Sequence, residues 1–133
     1  MSISNSSILV DGTVAISAGT ATTLKTKGTE LNLHNVYLDD GSALIDLTTM
    51  KFTVNDPVVQ SSAPGGYTQA RRKVRVFVPR TLANGNRTVD TFDIQMSTDP
   101  ETTDAERLSM RVLACNLLFD PEFTEFWDEG SSA

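Results

Sequence analysis

Cysteine, histidine and tryptophan each occur once in the 133 residues of this chain. No hydrophobic run approaches the roughly 20 residues of a membrane-spanning helix. With Cys115 alone no intrachain disulfide can form, and with His34 as the only histidine no zinc site of the usual kind can form. No phosphate-binding loop, dinucleotide fingerprint or nucleophile elbow is present. We therefore expect no enzyme, no metal or other cofactor, no membrane segment and no small-molecule substrate.

The size and composition fit a single domain spanning residues 1–133. Hydrophobic residues make up 39% of the chain and charged residues 21%, which is ordinary for a globular protein. The first seven residues lack the basic and apolar regions of a secretory signal. This predicts that the protein is made in the cytoplasm.

Negative charge predominates, with a net charge of −6, but it is unevenly distributed. Residues 99–129 hold nine acids and two arginines, which leaves nine basic and eight acidic residues elsewhere. Five of those nine basic residues lie between Arg71 and Arg80. Because phosphate binding depends on local positive charge, an acidic total is compatible with a basic face that binds nucleic acid.

Three segments, 47–55, 71–80 and 88–96, alternate between apolar and other residues, which is typical of half-buried strands. The apolar set is Met50, Phe52, Val54, Val74, Val76, Val78, Phe92, Ile94 and Met96. The opposite set is Lys51, Thr53, Asn55, Lys73, Arg75, Phe77, Thr91, Asp93 and Gln95. Antiparallel pairing of these segments would give a sheet with one apolar face and one polar face carrying three cations.

The remaining segments predict a hairpin, a bent strand and two helices. Residues 7–17 surround an Asp-Gly turn, 17–29 show no period and are taken as an extended connection or weak strand, and 30–38 predict a strand with a bulge near Asn35. Apolar residues recur every three or four positions after Thr103, which with Glu106 forms a capping box. A second helix begins at Asp120-Pro121.

We predict an α+β fold, because all the helix follows all the strand. It comprises an N-terminal β-hairpin at about 7–17, an antiparallel five-stranded sheet over about 30–97, and helices over about 103–118 and 121–129. The turn at 97–102 permits the helices to pack on their own sheet or on the sheet of a partner in an interlocked dimer.

This order of elements resembles the coat proteins of single-stranded RNA bacteriophages. The most specific parts are Lys73-Val74-Arg75-Val76 and the segment from Thr91-Phe92 to Arg107. The resemblance implies a homodimer in which the helices of each subunit cover the sheet of the other. It also implies that dimers assemble into the icosahedral shell of a virion, whose triangulation the sequence does not determine. The sheet face toward the interior would bind a genomic RNA hairpin and repress translation of the replicase.

The same resemblance implies that the RNA-binding residues lie on the polar face of the last three strands. They are Lys51, Thr53, Asn55, Lys73, Arg75, Thr91, Asp93 and Gln95. Lys and Arg suit phosphates, and Thr, Asn and Gln suit base edges. The chain departs from the family pattern in its short turn at 81–87 and in its last strand, which aligns only with a one-residue shift that would exchange the two faces.

Two other functions remain open from the residues alone. The first is a small non-viral α+β module whose polar sheet binds a protein or single-stranded nucleic acid. The second is a small hydrolase with a pocket near His34. Aromatic stacking on a base is a further option, for which Phe77 is a better candidate than Tyr37 or Tyr67 because its neighbours on the strand face are polar.

Overall fold

The computed structural model describes residues 7–8, 19 and 21–130. They belong to two compact units, a sheet unit within 19–101 and a helix unit formed by 102–130 with Ser7 and Ile8. Apart from Ser7 and Ile8, the predicted N-terminal hairpin lies outside the described residues. That residues 1–133 form a single domain stays a prediction.

The sheet unit is a meander of five antiparallel strands in chain order. They are β1 (Thr23–Glu30), β2 (Leu33–Asp39), β3 (Thr49–Asn55), β4 (Ala70–Thr81) and β5 (Arg87–Thr98). Each strand pairs with its neighbour along the chain, as short connections between antiparallel strands favour. The predicted five-stranded sheet is confirmed, and β1 and β5 are its edges among the described residues.

The first part of the sheet corrects two predictions. Residues 30–38 are not one strand, because a turn at Leu31 and Asn32 separates β1 from β2, and Asn32 takes a left-handed conformation with φ of 62°. The bulge lies in β1 between Thr26 and Gly28, opposite Val36 and Asn35, and not in the strand that contains Asn35. A bulge shifts the side-chain alternation by one residue, which explains why residues 17–29 show no strand period.

A tight turn joins β4 to β5 and sets their register. Its amide of Leu82 donates to the carbonyl of Asn86 at 2.7 Å, and the amide of Gly85 donates to the carbonyl of Leu82 at 2.9 Å. Gly85 has φ of +85°, a conformation that a residue without a side chain adopts at little cost. The short turn predicted at 81–87 is therefore confirmed, and the pairing of β4 with β5 runs unbroken over both strands.

The connection between β3 and β4 is ordered by its own short antiparallel bridge. Val59 pairs with Tyr67, and the amide of Thr68 donates to the carbonyl of Val58 at 2.8 Å. The backbone of Tyr67 is thus paired within this connection, while its side chain is exposed.

The helix unit holds α1 (Asp104–Phe119) and α2 (Thr124–Glu129). Thr103 is confirmed as the N-cap of α1, since the amide of Glu106 donates to Thr103 Oγ1 at 3.2 Å. The Glu106 side chain reaches back to the same residue, where its Oε1 accepts from the Thr103 hydroxyl at 2.9 Å. The second predicted helix starts as a 3-10 turn, Pro121–Phe123, which Asp120 caps, and continues as α2. Gly130, with φ of 71°, ends α2.

The apolar side chains of α1 point in several directions around the helix, and most of them are exposed. Val112 is buried, as is Phe123 of the 3-10 turn, whereas five large apolar residues of α1 are exposed in the single chain. These five are Leu108, Met110, Leu113, Leu117 and Phe119. The indole N–H of Trp127 donates to the carbonyl of Leu117 at 2.8 Å and ties α2 to α1. Neither helix has the length and apolar character that crossing a membrane requires, in the part of the chain that the structure describes.

Candidate nucleic-acid interface

The polar face of the sheet is organised in rows that run across the strands, because paired residues in an antiparallel sheet project to the same side. The central row joins Asn35, Lys51, Arg75 and Asp93. On one side of it lie Leu33, Thr53, Lys73 and Gln95, and then Asn55, Arg71 and Ser97. On the other side lie Tyr37, Thr49, Phe77 and Thr91. Successive rows are about 7 Å apart, since they are two residues apart along each strand.

The structure brings all eight predicted site residues onto this one face. The register of β5 shows which of its residues face the polar side. Asp93 lies opposite Arg75 on the polar face, and Ile94 lies opposite Val74 on the other face. The one-residue shift suggested by the family pattern therefore does not exchange the faces of β5. Their binding of RNA stays a prediction.

An ion pair fills the centre of the polar face. Arg75 Nε donates to Asp93 Oδ1 at 2.6 Å and Arg75 Nη2 donates to Oδ2 at 2.9 Å, which is the two-point geometry that a guanidinium and a carboxylate favour. Lys73 Nζ lies 4.0 Å from Asp93 Oδ2. The hydrogen bonds from Arg75 hold the pKa of Asp93 below its ordinary value, and the Asp93 carboxylate raises the pKa of Arg75.

The other cations of this face differ in their partners. Lys25 of β1 forms a salt bridge with Asp39 at 2.8 Å, which raises the pKa of Lys25. Lys51 and Arg71 form no ion pair with another described residue. The polar face therefore offers both neutralised cations and cations whose charge is available to a ligand.

Sequence reasoning missed Asn35 and Arg71, which extend the predicted set by one strand and one row. Asn35 lies opposite Lys51, and Arg71 lies opposite Asn55. The place of Arg71 on the polar face could have been predicted from the sequence, because Arg71 alternates with Lys73 and Arg75. The place of Asn35 could not, because the sequence gives no sign that the strand before it ends at residue 30.

Two aromatic residues share the row beside the central one. Tyr37 of β2 and Phe77 of β4 are separated by Thr49 of β3, and both are half-buried on the polar face. Flat aromatic surfaces in a polar, cationic setting are what unstacked bases bind.

The opposite face of the sheet carries the predicted apolar set and remains largely open in the single chain. Val36 is buried, while Phe52, Val54, Phe92 and Ile94 are exposed. Large apolar patches of this kind mark surfaces that another molecule covers.

His34 also lies on the apolar face, opposite Phe52. Its Nε2 is 3.2 Å from Thr26 Oγ1, and an open cavity of about 310 Å³ adjoins it, lined in part by Thr29 and Val54. No described carboxylate bonds the other ring nitrogen, so the histidine lacks the third group that would orient it as a catalytic base. Among the described residues no cluster of three His, Cys, Asp or Glu side chains is arranged to hold a metal ion.

Comparison with known proteins gives a consistent result at the level of structure. No family model matches the chain, and no curated protein matches it by sequence. The virus-like particle of bacteriophage GQ-907 matches with a TM-score of 0.86 and 25% identity over 99% of this chain and all of the other. The virus-like particles of bacteriophages AVE019 and NT-214 match with TM-scores of 0.66 and 0.60 at 8% and 16% identity. These two cover 90% and 95% of this chain, and 95% of the other chain in each case. The chain thus has the fold of a bacteriophage capsid protein, which confirms the resemblance to phage coat proteins found in its sequence.

Proposed function

We propose that this protein is the structural capsid protein of a single-stranded RNA bacteriophage. Its homodimers assemble into an icosahedral shell that packages genomic RNA, and the polar face binds an RNA hairpin and represses translation of the replicase. The protein is made in the host cytoplasm and resides in the virion. The observation that carries the proposal is a sheet with opposite chemistries on its two faces, in a chain that matches the virus-like particle of bacteriophage GQ-907 along its whole length.

Dimer formation is supported by the apolar residues that the single chain leaves exposed on two different elements. On the sheet, Ile94 is 47% exposed, and on α1 Leu108 is 53% exposed. A partner whose α1 covers the apolar face would remove both sets from water at once. The edge strand β5 offers a second contact, because its 12 residues have a hydrogen-bonded neighbour on only one side among the described residues.

RNA binding is supported by the charge and residue types of the polar face. Lys51, Lys73 and Arg75 lie in two adjacent rows, which suits a phosphate backbone that crosses the strands. Thr53 and Gln95 lie on either side of Lys73 in its row, where their side chains can bond base edges. Half-buried Tyr37 and Phe77 add stacking surfaces in the next row.

Assembly is tested by expressing the chain in bacteria and examining the purified material by size-exclusion chromatography and electron microscopy. We expect closed particles that absorb strongly at the nucleic-acid wavelength. A discrete monomer or dimer that never forms particles would contradict the capsid role and favour a small binding module.

RNA binding is tested by reversing two charges on the polar face, with Lys73→Glu and Arg75→Glu in one variant. We expect particles or dimers with much less RNA, because phosphate contacts supply most of the affinity for nucleic acid. The matched control is Arg80→Glu with Arg111→Glu, which reverses the same number of charges at exposed residues, one on the opposite face of the sheet and one on α1. Equal RNA content in the two variants would remove the polar face from the binding surface.

A further inference from the structure

Asp93 is out of place in the surface that the preceding proposal assigns to RNA. Among the positions of β3, β4 and β5 that face this side, it is the only acid. A carboxylate repels phosphate, and this one lies in the central row on the edge strand β5, beside Arg75. Its presence therefore lowers the net charge of the group formed with Lys51, Lys73 and Arg75 from +3 to +2.

Asp93 binds Arg75 in the way that a phosphate group would. Its two oxygens occupy the Nε and Nη2 donors of Arg75, the same fork that binds phosphate at two points. An RNA phosphate that takes this fork must first displace the carboxylate. The exchange is feasible, because both side chains are accessible, at 42% and 43% exposed, and exposed ion pairs are weak.

We propose that Asp93 competes with RNA phosphates for Arg75 and so limits the affinity of the polar face for RNA that lacks further contacts. This inference rests on the proposed RNA-binding function and adds a regulating residue to that site. An RNA that also fills the neighbouring rows gains enough from them to displace Asp93, whereas an RNA held by phosphate contacts alone does not. Asp93 acts through Arg75 and is a positioning residue, since it does not itself bind phosphate.

The strand supplies a matched control for this proposal. Asp90 is also an exposed β5 acid with an arginine partner, since Arg80 Nε donates to its Oδ2 at 3.0 Å. It pairs with Val78 and therefore lies on the other face of the sheet. Asp93→Asn and Asp90→Asn thus change the net charge of the protein equally, but only the first changes the polar face.

The test measures binding of a labelled oligouridine of about 20 nucleotides, a probe with no hairpin, to full-length protein freed of nucleic acid. Each additional phosphate contact steepens the salt dependence of single-strand binding by about 0.7 in log–log slope. Between roughly 50 mM and 200 mM salt, the affinity of D93N should therefore fall about 2.6-fold more than that of the wild type, from a tighter starting value. D90N should follow the wild type. In a protein carrying Arg75→Gln, the replacement of Asp93 should have a clearly smaller effect, because only the repulsion between its carboxylate and phosphate near Lys73 is then removed.

The outcomes separate this proposal from the one on which it rests. If K73E/R75E loses binding while D93N and D90N behave alike, Asp93 does not compete for Arg75, and the RNA-binding function stands. An undiminished effect of D93N in the R75Q background would equally overturn the proposal, because the effect would not pass through Arg75. If the wild type and K73E/R75E bind the probe equally, both proposals fail.

Discussion

Replacing Ile94 with alanine tests whether a partner covers the apolar face. The change removes three carbons, which at about 0.8 kcal/mol for each buried CH₂ amounts to about 2.4 kcal/mol for a fully buried side chain. The single chain already shields about half of Ile94, of which 47% is exposed. If a partner covers the rest, the free energy of unfolding should fall by about 4.8 kcal/mol per dimer, and if none does, by about 2.5 kcal/mol per two chains.

Val89 provides the comparison on the same strand. It is 53% exposed, similar to Ile94, but it pairs with Pro79 on the polar face, where no subunit is expected to pack. Val89→Ala removes two carbons and should lower the free energy of unfolding by only about 1.5 kcal/mol per two chains. The two substitutions are therefore expected to differ by about 3 kcal/mol.

The measurement is urea denaturation of the nucleic-acid-free protein at several protein concentrations, followed by the fluorescence of Trp127 and by circular dichroism. For a dimer the midpoint should rise with protein concentration, because unfolding releases two chains. A loss near 2.5 kcal/mol for Ile94→Ala, with a midpoint that does not depend on concentration, would refute a partner on this face.

Two further predictions concern local interactions. Thr103→Ala removes the cap of α1 and should lower the free energy of unfolding by about 1 kcal/mol per subunit. Thr102→Ala, one residue outside the cap, should change the free energy of unfolding little. Equal effects of the two substitutions in urea denaturation would disprove the capping role. In carboxylate NMR, the pKa of Asp93 should lie below the ordinary value for an aspartate and should return toward that value in Arg75→Gln. Because folding lowers this pKa, the ion pair stabilises the protein at a pH above the ordinary pKa. That contribution is lost as the pH falls through the pKa of the folded state. An unshifted Asp93 resonance in the wild type would show that the ion pair does not form in solution.

The parts of the fold that sequence predicted best are those with a regular period. The strands of Met50, Val74 and Ile94 alternate cleanly, and α1 repeats its apolar residues after a capping box, so local pattern and tertiary role agree there. The start of the sheet was missed because Lys27 occupies a bulge and Asn32 forms a turn without glycine or proline. Neither feature leaves a periodic signal.

The candidate site shows the same division. Its cations and their common face followed from alternation, but the pairing of Arg75 with Asp93 did not, because register depends on the centre of the turn. With Asn84 at that centre, Arg75 and Asp93 lie equally far from it along the two strands, and their pairing follows. The proposed contacts between subunits would depend on a second chain, and no pattern within one chain determines them.

Because side chains alternate between the two faces along β3, β4 and β5, adjacent residues in these strands are under different structural constraints. Every second residue meets the polar side, and the residues between them meet the apolar side. Under the proposed function, mutations at the polar positions can therefore change which RNA a particle packages while the apolar residues that a partner subunit would cover stay unchanged. Selection on RNA binding and selection on assembly would then act on separate, alternating positions, and directed evolution of particles with new contents could target the polar positions alone.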